Sequence, residues 1–203
     1  MGTPQGKGCV FCCAKLLFFT KKEEMPLFLA KMYSETIDEE GYAMRNEILL
    51  KQLAAFRHNT LSCVEGLTEE EADFIPEGFN NNIRWNLGHI YLDQYDWLYH
   101  KTREDNPAPK HYRELFGYGT MPENWQQTPP TLEELRNHLM EQVKVIDQEF
   151  GHRLDQELDE PTELGMSTFA EVLPRTFYHE GLHMGAILAI RKAITLQNQK
   201  QLK

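Results

Sequence analysis

The stretch Ser167–Leu196, STFAEVLPRTFYHEGLHMGAILAIRKAITL, decides the fold. It shows no alternation of period two, and its apolar residues recur three and four apart, so it reads as one long amphipathic helix beginning at Ser167. Pro174 lies inside that span, lacks a backbone N–H and predicts either a kink or a later true start. His179 and His183 are four apart and project from one face, shared with Val172, Ala186 and Ile190, which makes it the buried face. Buried ring nitrogens without partners cost of order 1–3 kcal/mol each. Either a buried hydrogen-bonding group or a metal ion must therefore engage them. The i, i+4 spacing favours the metal, because it brings two nitrogens near one point at the ~2.1 Å of a metal–nitrogen bond.

Working back toward the N-terminus, Pro161 and Gly165 mark a connection, and before it Thr131 with Glu134 forms a capping box. That box opens a helix whose Leu132, Leu135, Leu139, Val143 and Ile146 keep helical spacing as far as Phe150–Gly151. Residues 104–130 are rich in Pro and Gly and read as a long crossover of a kind usually functional or wrapped around a core. A helix from Ile83 to Arg103 precedes it, with asparagines at its start able to cap it. The first helix of the pattern runs from Met44 to Gly66, with Ile48, Leu49, Leu53, Phe56, Thr60, Leu61 and Val64 as its apolar face. The fold class is all-α: an antiparallel four-helix bundle with the long crossover between helices two and three.

Two histidines make a weak site, and a third stands in the middle of the second helix. His89 lies on a stripe with Asn82, Asp93 and Asp96 along a helix otherwise rich in tryptophan and tyrosine, and such a stripe is costly unless it serves a site. His58, His100, His111, His138 and His152 fall near helix ends, in the crossover or on polar faces, and read as solvated or capping. Three histidines from two helices leave coordination positions open, as in a catalytic site. Imidazole suits Zn, Ni, Fe and Cu alike, and the expected cofactor is a divalent cation such as Zn, Ni, Fe or Mn. Glu180 and Asp93 are candidates to orient the imidazoles or shuttle a proton, against the plainer reading of a surface glutamate and a solvated aspartate. Trp85 and Trp97 are expected to pack the core. Gly88, Gly181 and Gly185 cost about 1 kcal/mol each inside helices relative to Ala, which a close helix approach would offset.

HEGLH, residues 179–183, also matches the H-E-x-x-H of zinc proteases, but no Asp, Glu or His follows His183 to serve as the downstream ligand. A di-iron carboxylate bundle would need two Glu-x-x-His pairs and two more glutamates. Glu149–His152 and Glu180–His183 fit the spacing, yet His152 follows Gly151 at a helix end.

The bulk properties narrow the classes further. A formal net charge of -10, a pI near 5.3 and no Lys/Arg cluster argue against nucleic acid as a partner. The longest apolar run, Cys9–Phe19, contains Lys15 and falls short of the roughly 20 residues of a membrane span. It also ends in KKEE without a cleavage site, so no signal peptide and no membrane partner are expected, and a cytoplasmic location is the simplest reading. Cys9 and Cys12 form a lone C-x-x-C, too little for a redox or zinc motif. Residues 1–43 lack sustained helical period, and purine-rich coding potential at Asp38–Gly41 precedes Met44 at a workable distance. Translation is expected to start at Met44, residues 1–43 being an N-terminal extension, disordered or a mis-assigned start, and 44–203 the domain.

The phrases NNNIRWNLGHIYL (80–92), LFGYGTMPENW (115–125) and YHEGLHMGAI (178–187) occur in the order and separation of the DinB-like (YfiT-like) metalloenzymes, which the chain resembles over residues 44–203. The resemblance implies a four-helix bundle that binds a divalent metal through three histidines, here His89, His179 and His183, and forms a homodimer. It also implies a low-molecular-weight thiol such as bacillithiol or mycothiol as co-substrate, acting on a small electrophile by S-transfer or isomerisation. An open tri-histidine metal suits that chemistry, since it favours the thiolate form at neutral pH. The expected activity is that of a metal-dependent thiol S-transferase. The alternatives are a non-catalytic metal-binding stress, sensor or scaffold protein and an H-E-x-x-H metallohydrolase.

Overall fold

A computed structural model describes residues 39–100 and 102–201. The expectations for residues 1–38, the Cys9–Cys12 pair among them, lie outside the described residues, and of the expected 1–43 extension only residues 39–43 are described. The elements are α1 (Glu39–Ser62), α2 (Glu69–Asp73), α3 (Ile83–Tyr99), α4 (Tyr112–Phe116), α5 (Leu132–Phe150) and α6 (Phe169–Gln201), with single 3₁₀ turns at Pro122–Asn124 and Gly151–Arg153. The only extended pairing among the described residues is one antiparallel bridge, Glu157 to Thr168. The fold is all-α, and α1, α3, α5 and α6 are its four long helices.

Local chemistry sets most boundaries. Asn82 caps α3, its side chain accepting from the Trp85 N–H at 2.7 Å. Thr131 and Glu134 form the expected capping box of α5. On α6 the capping pair is Thr168 with Glu171, one residue later than expected: Thr168 Oγ1 accepts from the Glu171 N–H, and the Glu171 carboxylate accepts from the Ser167 and Thr168 N–H groups. Pro174 therefore lies within α6 and does not delay its start. Helix α3 ends at Tyr99, short of Arg103. Helix α1 begins at Glu39, five residues ahead of Met44, and gives way after Ser62 to a turn in which Gly66 takes φ 73°.

Helix α3 is central, buried along nearly its whole length, and packs against α4, α5 and α6. The crossover lays α4 directly on it at Gly88. A Cβ at Gly88 would stand 2.4–2.5 Å from the Phe116 ring, so glycine is what lets Phe116, itself fully buried, approach this closely. Gly181 and Gly185 have no such neighbour and face open space.

The buried face of α1 differs from the apolar pattern. Leu49, Leu53, Thr60 and Val64 are buried as expected, but Ile48 and Phe56 are 49% and 40% exposed and the stripe is completed by Arg57, 1% exposed. A pattern built on hydrophobicity passes over an arginine whose guanidinium is fully paired inside.

Candidate metal centre

Three imidazoles converge between α3 and α6. His89 comes from the middle of α3, and His179 and His183 from successive turns of α6. Their ring centroids lie 4.5–5.1 Å apart, and one ligand atom from each falls within 4.8 Å of the others. The Nε2 atoms of His179 and His183 are 3.2 Å apart. Two nitrogens bound ~2.1 Å from one cation at roughly right or tetrahedral angles would lie about 3.0–3.4 Å apart. The observed spacing matches that separation.

Each ring is oriented through its other nitrogen. His89 Nδ1 lies 2.6 Å from the Phe116 carbonyl oxygen, His183 Nδ1 2.8 Å from Asn86 Oδ1, and His179 Nδ1 3.0 Å from Asp93 Oδ2. A carbonyl or carboxylate oxygen can only accept, so each Nδ1 carries a proton, and in the neutral ring Nε2 is left with its lone pair. The Asn86 amide is itself fixed, since its Nδ2 donates to the Asn82 carbonyl at 2.7 Å. At 3.2 Å the Nε2 atoms of His179 and His183 are close enough to share one proton or one cation between them. Burial lowers the His89 pKa to about 4, although Asp93 works against the shift. His183 is pushed well below its ordinary value by burial and by the neighbouring His89 and His179. For His89 and His183 this environment favours neutral imidazole, the form a metal requires.

The surroundings make the cluster rigid. Trp85 stacks on His89 with centroids 4.6 Å apart and planes 12° off parallel, and its Nε1–H donates to Thr120 Oγ1 at 2.8 Å. Trp85 is thus a wall of the site as well as a core residue. Burial alone would raise the Asp93 pKa, but His179 and Arg175 hold this carboxyl well below the usual carboxylate range. Arg175, paired with Asp93, also lies over Trp97 at 4.1 Å from the ring centroid. His89 and His183 are each 6% exposed, whereas the His179 side chain retains 16%. Of the three rings, His179 is the one closest to solvent.

The polar stripe of α3 does not converge as a whole. Asp93 reaches the cluster, Asn82 is the helix cap, and Asp96 pairs with Arg113 and Asn106. Glu180 is turned away from the histidines, its carboxylate accepting from Arg57 Nε at 2.9 Å and Nη2 at 3.3 Å. The general-base role that a zinc protease gives this glutamate is therefore not served, because Arg57 occupies both oxygens. Among the other histidines, His138 meets the Tyr112 hydroxyl at 3.0 Å and His100 meets Glu163 at 2.8 Å, away from the cluster. No other grouping of His, Cys, Asp or Glu among the described residues has metal-ligand geometry.

Sequence reasoning missed Asn86, Phe116 and Arg57. Asn86 was within reach, standing three residues before His89 on the same stripe. The Phe116 contact uses a backbone carbonyl, which no residue identity announces.

Fold and site together define an all-helical bundle with a candidate tri-histidine metal centre between two of its long helices. Over residues 52–187 the chain matches the DinB superfamily, and it belongs to that superfamily. Comparison with functionally curated proteins gives no match.

Proposed function

We propose that the protein binds one divalent cation through the Nε2 atoms of His89, His179 and His183 and uses it as a metal-dependent thiol S-transferase on a small electrophile. The observation that carries this reading is the paired use of each imidazole: Nδ1 engaged by an acceptor, Nε2 turned toward the cluster. When bound, the cation supplies Lewis acidity that favours the thiolate form of a thiol at neutral pH. The chain's own residues do the rest. Asp93, Asn86 and the Phe116 carbonyl hold the rings in one tautomer, and Trp85 keeps water off the His89 face. In the overall reaction the thiol sulfur forms a bond to the electrophilic carbon, the leaving group departs with the bonding pair, and the thiol proton passes to solvent.

A bacillithiol-type thiol is the co-substrate we propose, and the affinity of borderline cations for sulfur supports it. A homodimer in the cytoplasm completes the reading. Its support is the apolar groove between α1 and α6, where the exposed Phe56 and Tyr178 line one pocket with Phe177, Met184 and Gly181. Sedimentation as a monomer at micromolar concentration would defeat the dimer.

The test of function is metal content by mass spectrometry on untagged protein beside a His183→Ala variant, each assayed with bacillithiol and a chlorinated electrophile. About one metal per chain, lost in the variant together with thiol conjugation, is the expected result. Metal bound without turnover of any thiol would make the protein a non-catalytic metal binder, and no metal would leave the three histidines as polar core.

A further inference from the structure

We propose that Arg57 and Glu180 are positioning residues for the tri-histidine cluster, locking the register of α6 against α3 so that each imidazole meets its Nδ1 acceptor. The proposal rests on the reading of His89, His179 and His183 as a metal site. It gives the glutamate of HEGLH a task other than proton transfer.

Arg57 is 1% and Glu180 2% exposed. All five guanidinium donors are used, and their acceptors come from the other three long helices. Nε donates to Glu180 Oε1 at 2.9 Å, and Nη2 to Gln94 Oε1 at 2.8 Å and Glu180 Oε2 at 3.3 Å. Nη1 donates to the Leu139 carbonyl at 2.6 Å and Gln142 Oε1 at 3.1 Å. The network continues from Gln94 Nε2 to Thr176 Oγ1 at 3.1 Å and from Gln142 Nε2 to the Tyr91 carbonyl at 2.8 Å.

Two rows of polar contacts therefore join α3 to α6. One is the site itself, Asn86 to His183 and Asp93 to His179. The other runs beside it, Gln94 to Thr176 and, through Arg57, to Glu180. Gln94 is adjacent to Asp93 in the chain and Glu180 to His179, so the rows cannot shift independently. Apolar packing between the helices is non-directional and tolerates small slips. A fully donated guanidinium fork does not, and ligand geometry is lost when supporting groups move by more than about 0.5 Å.

Stability alone does not account for the pair. Burying two charges costs several kcal/mol, and apolar residues of similar volume are often neutral or stabilising in their place. Holding a register is the use to which such a pair is best suited.

The test is the double variant Arg57→Met/Glu180→Leu, with Glu180→Gln beside it in case the double variant does not fold. Helicity and cooperative melting establish folding. Zn²⁺ affinity is then read by competition with a chromophoric chelator, and ligand geometry by the visible spectrum of the Co²⁺ form. The folded double variant is expected to bind Zn²⁺ about tenfold or more weakly, with an altered Co²⁺ spectrum. Glu180→Gln, which keeps an acceptor for Arg57 but not the charge, is expected to show a smaller loss in the same direction. A folded variant with wild-type Zn²⁺ affinity and an unchanged Co²⁺ spectrum would overturn the proposal while leaving the metal site standing. Failure of the wild-type protein itself to bind Zn²⁺ or Co²⁺ would overturn both.

Discussion

Replacing Gly88 by alanine tests whether the crossover is coupled to the candidate metal centre. The added methyl would lie 2.4–2.5 Å from Cγ, Cδ1 and Cδ2 of Phe116, where carbon–carbon contacts normally rest at about 3.5–4.0 Å. The clash involves the near end of the ring, including the atom attached to Cβ, so turning the ring about its Cβ–Cγ bond cannot relieve it. Phe116 must retreat by roughly an ångström, and its carbonyl, 2.6 Å from His89 Nδ1, belongs to the same residue. Overpacking of this kind costs about 1–3 kcal/mol, partly offset by the ~1 kcal/mol that alanine gains over glycine within a helix. The expected net result is destabilisation by up to about 2 kcal/mol, a fall in Tm of a few degrees for a chain of this size, together with about tenfold weaker Zn²⁺ binding. Thermal melts of the metal-free protein and chelator competition measure the two effects separately. A Gly88→Ala protein as stable as wild type and with unchanged Zn²⁺ affinity would refute the coupling.

Two further outcomes follow from the same geometry. Asp93→Asn can still accept from His179 but no longer neutralises Arg175, and it is expected to weaken Zn²⁺ binding about 10–100-fold by isothermal titration; affinity equal to wild type would remove Asp93 from the site. The metal-free protein should also lose stability as pH falls. His89 titrates near its ordinary 6.5 when unfolded and at about 4 when folded, so between those values the unfolded state holds the extra proton. The stability difference, of order 3 kcal/mol, is absent above pH ~6.5 and fully developed below ~4, with His183 shifted in the same direction. Urea midpoints that stay constant or rise from pH 6.5 to 4 would contradict the burial of neutral imidazoles.

How much of this was legible in the sequence depended on whether the information was local. Capping boxes are written within four residues, so Thr131–Glu134 fixed the start of α5, and the capping potential of Asn82 marked α3. The i, i+4 histidines and the lone His89 pointed to the cluster because uncompensated polar groups on apolar helices are rare. Contacts between distant segments were not legible. Glu180 could face the histidine cluster or Arg57 with the same sequence, and only the rotation of α1 that buries Arg57 decides it. The role of Gly88 became visible only with the Phe116 ring against it, and the Nδ1 acceptor of His89 is a peptide carbonyl that any residue would carry.

X-ray absorption at the metal edge of the Zn²⁺-loaded, untagged protein tests the central claim most directly. The account predicts about three imidazole nitrogens at ~2.0–2.1 Å, with one fewer in each of His89→Ala, His179→Ala and His183→Ala. With no thiol in the buffer, a first shell containing sulfur, or an imidazole count that none of these three substitutions changes, would contradict it.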